Sequence, residues 1–341
     1  MDLDTLHKGR QTIVFDRHPV ILAHSAIAGK KESEGPLAGF FDHTETDTRF
    51  GQKTWEKAET RLQELALDTA RSKAQLQYSD LDVLFAGDLL NQCISSAFAT
   101  RDTRIPFLGL YGACSTMAES LTLAAAAVNA GYAARAAALT SSHFATAERQ
   151  YRFPLGYGGQ RTPTAQWTVT GSGCCIVASG GRGPYLNCAT IGRIEDYGIK
   201  DANNMGAAMA PAAYSTLRAH FADTGLRPQD YDLIVTGDLG TLGSTIVTDL
   251  FQRDGVEFGA NYRDCGVLIY DLKRQDVHAG GSGCGCGASV LCGYLLRQLR
   301  EKKINSLLFC ATGALMSPVS TWQGESIPAI CHAISISNER R

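Results

Sequence analysis

The sequence predicts an α/β fold made of two similar halves, and three observations predict it. Asp80-Leu81-Asp82-Val83-Leu84-Phe85-Ala86-Gly87-Asp88-Leu89 is echoed by Asp230-Tyr231-Asp232-Leu233-Ile234-Val235-Thr236-Gly237-Asp238-Leu239, with identity at the first, third, eighth, ninth and tenth positions. An amphipathic helical pattern precedes each echo. A helix and then an apolar strand follow each one, in the same order. Repetition at this scale is the mark of a duplicated unit, and alternating strands and helices build α/β layers.

In the first half, residues Trp55 to Ala74 carry Leu62, Leu65, Ala66, Thr69 and Ala70 on one face, the period of a helix with one buried side. The echo segment is a short apolar run ended by Gly87, which reads as a buried parallel strand. Ser115 to Asn129 is helical in pattern, Gly131 follows it, and Ala136 to Thr140 is an apolar strand. Thr168 to Ala178 closes the half, with Cys174 and Cys175 as packing residues of a strand. The second half repeats the series. A helix from Ala212 to Asp223 shows its period in Tyr214, Leu217, Arg218 and Phe221. After the second echo strand come a helix over Gly287 to Lys303, a strand over Ser306 to Ala311, and a closing strand over Ile330 to Ile336. The halves are expected to span residues 1–180 and 181–341. They should pack about a pseudo-twofold, with equivalent helices face to face in the middle.

Composition narrows the function. Hydrophobic residues make up 44% of the 341 and charged residues 19%, enough for a buried core and unlike a disordered chain. The net charge of -2 and scattered basic residues give no footprint for nucleic acid. The longest apolar run, Leu121 to Leu139, is broken by Asn129 and Arg135 and is too polar for a bilayer span. Residues 1–15 lack the apolar stretch and cleavage site of an export signal, and the cysteine count of 11 is odd. Reduced thiols in a cytosolic setting are expected.

Two segments can carry chemistry. In Gly109-Leu110-Tyr111-Gly112-Ala113-Cys114-Ser115-Thr116, small residues lead from a loop into a helix, so Cys114 stands at a helix N-terminus. Unpaired backbone N–H groups there favour a thiolate or a bound carboxylate, although a buried packing cysteine reads the same way. In His278-Ala279-Gly280-Gly281-Ser282-Gly283-Cys284-Gly285-Cys286-Gly287, the glycines allow close backbone approach and an anion-binding nest, or simply a tight turn. No second Cys/His pair stands at zinc spacing, so no metal site is expected, and the P-loop lysine is absent. The duplication puts the two segments at equivalent places, so two helical starts should converge on one pocket.

Duplicated halves, Ala113-Cys114-Ser115 opening a central helix, and the late glycine loop resemble the thiolase-like superfamily. The detailed phrases Gly9-Arg10-Gln11-Thr12-Ile13-Val14-Phe15, Phe50-Gly51-Gln52-Lys53-Thr54-Trp55-Glu56, Leu110 to Met117, Gly237-Asp238-Leu239-Gly240 and His278 to Cys284 are similar to the stage V sporulation protein AD family of endospore formers. The resemblance covers most of the chain. It implies a five-layered αβαβα fold of two βαβαβαββ halves and a homodimer. It also implies the position of a condensing nucleophile at Cys114.

The match then departs from the condensing enzymes. Their histidine loop falls at Gly237-Asp238-Leu239 and their late His or Asn loop at Gly283-Cys284-Gly285, so Asp238 and Cys284 replace the proton-handling partners. Cys310-Ala311-Thr312-Gly313 is similar to the second-cysteine loop of thiolases, with Ala-Thr-Gly in place of three glycines. An anionic Asp238 raises a neighbouring thiol's pKa and cannot donate to an enolate, so condensation should be largely lost. The family resemblance supplies a ligand instead: dipicolinic acid (pyridine-2,6-dicarboxylate), free or as its calcium chelate, passed to membrane proteins of the stage V sporulation A system at the forespore inner membrane. Association with the membrane would be peripheral, and no other cofactor is implied. On this reading Cys114 and Cys284 floor the pocket, Asp238 fixes the loop or touches a cation, and Arg149 or Arg152 clamps a carboxylate. His143 and His278 complete the candidate set. The alternative is an acyl-thioester condensing enzyme or acyltransferase using Cys114.

Overall fold

The computed structural model describes residues 6–151, 161–256, 258 and 261–340. Ten principal strands form one continuous sheet. The first half contributes β1 (Val20–Ala28), β2 (Val83–Gly87), β3 (Phe107–Leu110), β4 (Arg135–Ser142) and β5 (Gly171–Ala178). The second contributes β6 (Tyr185–Thr190), β7 (Leu233–Thr236), β8 (Tyr262–Asp264), β9 (Ser306–Ala314) and β10 (Ala329–Ser337). Their order is β8-β7-β9-β10-β6-β1-β5-β4-β2-β3. From the centre outward, both sides therefore follow the same series. The two echo strands, β2 and β7, are each flanked by parallel neighbours, as their uninterrupted apolar runs require. β1 and β6 join the sides by an antiparallel pairing of Val20 with Tyr185.

The helices used below are α1 (Trp55–Lys73), α2 (Ile94–Thr100), α3 (Thr116–Ala130), α4 (Phe144–Tyr151), α5 (Met205–Thr224), α6 (Gly240–Arg253), α7 (Cys284–Ser289) and α8 (Leu296–Arg300), with short ones at Lys30–Ser33, Cys265–Leu268 and Pro318–Trp322 besides. A π-helical stretch, Val290–Leu295, links α7 to α8. α3 touches strands of both halves, and α7 packs on α3 and on the first half's strands. Their buried faces, including Met117, Leu121, Ala288 and Leu291, form the central layer. α1 covers the outer face of one side through Ala58, Leu62, Ala66 and Ala70. α5 covers the other through Met209, Ala212, Ala213 and Leu217. These layers make an αβαβα sandwich.

Local signals set the helix ends. Thr54 caps α1 by accepting from the Lys57 N–H at 3.3 Å, and Asn204 caps α5 from Ala207 at 3.4 Å; such caps are worth about 1 kcal/mol each. α5 begins at Met205 and not at Ala212 as the periodicity suggests, because the helix runs through Pro211. A proline there gives up one backbone bond, and burial of the alanine-rich face on β9 and β10 holds the turn. The segment after β4 that carries Arg149 is the helix α4. No helix among the described residues is long and apolar enough to cross a membrane.

Candidate functional site

β3 ends against the turn that presents Cys114. Ala113 adopts φ +51°, a left-handed conformation costly for a residue with a Cβ, and Ala113–Ser115 form one 3₁₀ turn before α3. The Ser115 hydroxyl donates to the Gly112 carbonyl at 2.7 Å and the Thr116 hydroxyl to the Ala113 carbonyl at 2.6 Å, fixing the turn. β9 of the other half crosses it closely: a Cβ on Gly313 would lie 2.6 Å from the Gly112 oxygen. That contact explains the glycine ending Cys310-Ala311-Thr312-Gly313.

Asp238, just past β7, reaches into the same place. It is buried and accepts from the Gly283 N–H at 2.9 Å, the Thr312 hydroxyl at 2.9 Å and the Ser282 hydroxyl at 3.4 Å. It is also hydrogen-bonded to the Cys114 thiol. Gln166 braces the loop by donating to the carbonyls of Asp238 at 2.7 Å and Gly281 at 2.8 Å. Burial pushes the Asp238 carboxyl up to about 6 against the pull of these donors. Cys114 is raised well above the ordinary thiol range, first by burial and then by the negative Asp238. The sequence argument named the second cause; the larger one comes from the packed surroundings.

The two helical starts do meet. Cys284 opens α7 and shares a buried cluster with Cys114, Leu89 and Ala147. The loop's glycines are used for contact: a Cβ on Gly285 would meet the Gly171 oxygen at 2.5 Å and the Ser142 nitrogen at 2.8 Å. The α7 start is nevertheless already supplied with partners. The Gly283 N–H serves Asp238 and the Gly285 N–H serves the Ser142 hydroxyl at 3.0 Å. Asp238 thus occupies the place that the sequence reserved for a bound anion.

A cleft of about 430 Å³ opens beside Cys114, lined by Leu89, Ala113, Ala147, Glu148, Tyr151, Thr168, Met205, Ser282, Ala314 and Met316. Room for a water-sized body within it is about 40 Å³, enough for a few waters. Cys284 is not on its wall: fully buried, it donates its thiol to the Ser141 carbonyl at 2.8 Å and lies behind Cys114. Asp238 is likewise behind the wall.

Other expected contacts fall elsewhere. His143 is buried on the far side of α4, where Nε2 donates to the Thr48 carbonyl at 2.8 Å and Nδ1 accepts from Ala145 N–H at 3.1 Å. These partners define a neutral tautomer, and burial holds its pKa below the usual value. Arg149 points away from the cleft and pairs with Glu56 on α1. His278 bonds to the Thr162 carbonyl at 2.6 Å and to Asp276 at 3.1 Å, outside the cleft. Arg152 lies outside the described residues. Sequence reasoning missed Glu148 and Tyr151, which sit on α4 within the segment it did single out, and Thr168 and Ser282. Met205 and Met316 carried no signal, because only the tertiary fold brings them to Cys114.

The fold belongs to the thiolase-like class. It matches 3-oxoacyl-[acyl-carrier-protein] synthase III from Aquifex aeolicus with TM-score 0.59 and 11% identity, covering 94% of this chain and 99% of that one. It matches Xanthomonas campestris OleA with cerulenin bound with TM-score 0.63 and 12% identity, covering 95% and 98%. Residues 9–337 match the family model for stage V sporulation protein AD (SpoVAD). The stage V sporulation protein AD of Bacillus subtilis strain 168 is 47% identical over 327 residues, 96% of each chain. This chain belongs to the stage V sporulation protein AD family.

Proposed function

We propose that this protein is a non-catalytic thiolase-fold receptor for pyridine-2,6-dicarboxylate in sporulation, which delivers the acid to membrane proteins of the stage V sporulation A system. One observation carries the non-catalytic part. At the nucleophile position, an acceptor carboxylate takes the thiol proton's hydrogen bond, where condensation needs a donor and a base. The thiol is held protonated at neutral pH, and the described cleft-lining residues include no imidazole to remove its proton.

The same electrostatics bear on the ligand's form. The described lining holds the acidic Glu148 and no basic residue, with Asp238 close behind. A bare dianion would pay for that proximity, so the ligand enters as its calcium chelate or beside a cation from Arg152, the residue after the cleft-lining Tyr151. Arg152, Tyr151 and Glu148 are the residues assigned to ligand contact. Cys114, Asp238 and Cys284 shape and brace the floor. Calorimetric titration with dipicolinate, with and without equimolar calcium, tests the reading. Saturable heat with at least one form, and a raised melting temperature, are expected. No heat and no shift at millimolar ligand would remove it.

The apolar residues Leu89, Met205, Ala314 and Met316 on the wall favour one rival, an acyl-thioester enzyme with an acyl chain in the cleft. Incubation with acyl-CoA of several chain lengths should leave the intact mass unchanged. An acyl adduct on Cys114 would establish the rival instead. The halves 1–180 and 181–341 are read as one folding unit per protomer, assembled as a homodimer through β3. This edge strand exposes Phe107 and Leu108, with Phe98 and Tyr111 beside it, a surface prone to pairing. Sedimentation of a monomer at micromolar concentration would refute that assembly.

A further inference from the structure

At the N-terminal end of α4 lies a second pocket, of about 910 Å³. Among the described residues, its lining shares none with the thiol cleft. Its walls include Trp55, Phe144 and Trp167, and its rim carries Lys30 and Lys31. Phe144 stacks on one face of Trp167, with centroids 3.9 Å apart and an 11° interplanar angle. The other face is left to cations: the Lys31 ammonium is 3.9 Å from the ring centroid and the Arg161 guanidinium 4.8 Å. Glu32, 1% exposed, also lines the pocket. Its Oε1 accepts from Tyr270 and from the Thr170 N–H, while its Oε2 has no partner among the described residues.

We infer that this pocket is a separate landing site for planar aromatic carboxylates, whose ring replaces Lys31 on the face of Trp167 while their carboxylate draws the displaced ammonium. A cation lying on an indole is an exchangeable contact worth about 0.5–2 kcal/mol. A planar acid satisfies both parts at once, stacking on the ring and pairing with the Lys31 charge, while Glu32, pushed up to about 7 by burial, can meet it in its protonated form and donate from Oε2. The positive charges in the described lining are the side chains of Lys30 and Lys31, which suit a carboxylate as point charges. α4 contributes to both pockets: Phe144 and Ala145 from its first turn line this one, and Ala147, Glu148 and Tyr151 line the thiol cleft. The inference stands on this pocket's geometry and takes only its choice of dicarboxylate probe from the proposed function.

Tryptophan fluorescence separates the two sites, because two of the three tryptophans line the landing pocket and none lines the thiol cleft. Pyridine-2,6-dicarboxylate and benzoate should quench saturably, and cyclohexanecarboxylate should not. Lys31→Met should weaken the quenching at least tenfold, whereas Ala147→Leu, which fills the thiol cleft, should leave it within twofold. Lys30→Met, an exposed change, gives a second reading should Lys31→Met perturb the fold. Quenching lost in Ala147→Leu and kept in both lysine variants overturns the inference, as does tighter quenching by adenosine 5′-monophosphate than by either aromatic acid. Calorimetric heat with no quenching also overturns it while leaving the thiol-cleft reading intact.

Discussion

Asp88 and Asp238 hold matching places in the two halves, each just past an echo strand, yet they do different work. Asp88 is fully buried and serves its own half, accepting from the N–H groups of Leu90 and Ser96 and from the Ser96 hydroxyl at 2.6–2.9 Å. It fastens the start of α2 to the end of β2. Asp238 looks away from its strand, toward the α7 loop, β9 and the Cys114 turn of the other half. The corresponding local task in its half falls to Asp264, which accepts from the N–H groups of Leu239 at 2.9 Å and Gly240 at 3.0 Å. With the local turn secured by another carboxylate, Asp238 is available to occupy the nucleophile pocket. The two matching positions thus hold the same residue in two different tasks.

Removing each acid breaks the comparison most sharply. Asp88→Ala leaves the three donors from Leu90 and Ser96 unpartnered in the interior and should cost about 3–4 kcal/mol of stability. It should leave the rate of Cys114 alkylation unchanged. Asp238→Ala should cost about 2–3 kcal/mol, since Gly283 and Thr312 lose a shared acceptor. By removing a nearby negative charge it should also speed iodoacetamide alkylation of Cys114 several-fold at pH 8. Urea unfolding and mass-resolved alkylation read both quantities. If the two variants alkylate alike, Asp238 is merely a structural acid like its counterpart.

How much of this was legible in the sequence follows from the range of the forces involved. The echo strands, the helices before them and the small-residue turn at Cys114 rest on local period and backbone freedom, and the structure contains them all. The meeting of Cys114 and the α7 loop followed from treating the halves as equivalent, and the place of Asp238 beside them followed from the family resemblance. Directions of side chains did not follow. His143 and Arg149 look as functional in sequence as Glu148 and Tyr151, but Arg149 falls off the face of α4 that lines the cleft, and His143, just before the helix, is held by the Thr48 carbonyl. Nor could the sequence show that the α7 N–H groups are already taken.

A smaller effect, in pH, sharpens the role of Asp238. Its folded pKa, about 6, lies above the ordinary carboxylate value of 3.8, so the folded protein holds this proton more tightly than the unfolded chain. The stabilising contribution is fully present below pH 3.8 and is lost as pH rises through about 6, amounting to at most about 3 kcal/mol. Burial raises Asp264 and Glu32 to about 7 with the same sign. His24, His220 and His332, lowered to about 4, act oppositely by losing stability as pH falls below 6.5. The wild-type curve alone therefore mixes signs, and the informative quantity is the wild-type stability minus that of Asp238→Asn. That difference should fall between pH 4 and pH 8. A constant difference would mean that Asp238 is ionised throughout and that its partners outweigh its burial.

The smallest expected effect separates the two arginines around α4. Arg149 and Glu56 are partly exposed, at 48% and 33% of their side-chain surface. An ion pair so open to water contributes about 0–1 kcal/mol. Arg149→Gln should thus lower the melting temperature by only a degree or two and leave dipicolinate affinity within twofold, because the guanidinium is committed to α1 and away from the cleft. Arg152→Gln, following cleft-lining Tyr151 in the chain, removes the cation assigned to a ligand carboxylate and should weaken binding about tenfold or more. Parallel calorimetric titrations of the two variants, with and without calcium, decide between a protein cation and a carried one. If calcium restores the Arg152→Gln affinity, the metal substitutes for the guanidinium. If Arg149→Gln is instead the damaging change, the Glu56 pair must open on binding, and the ligand approaches α4 from the α1 side.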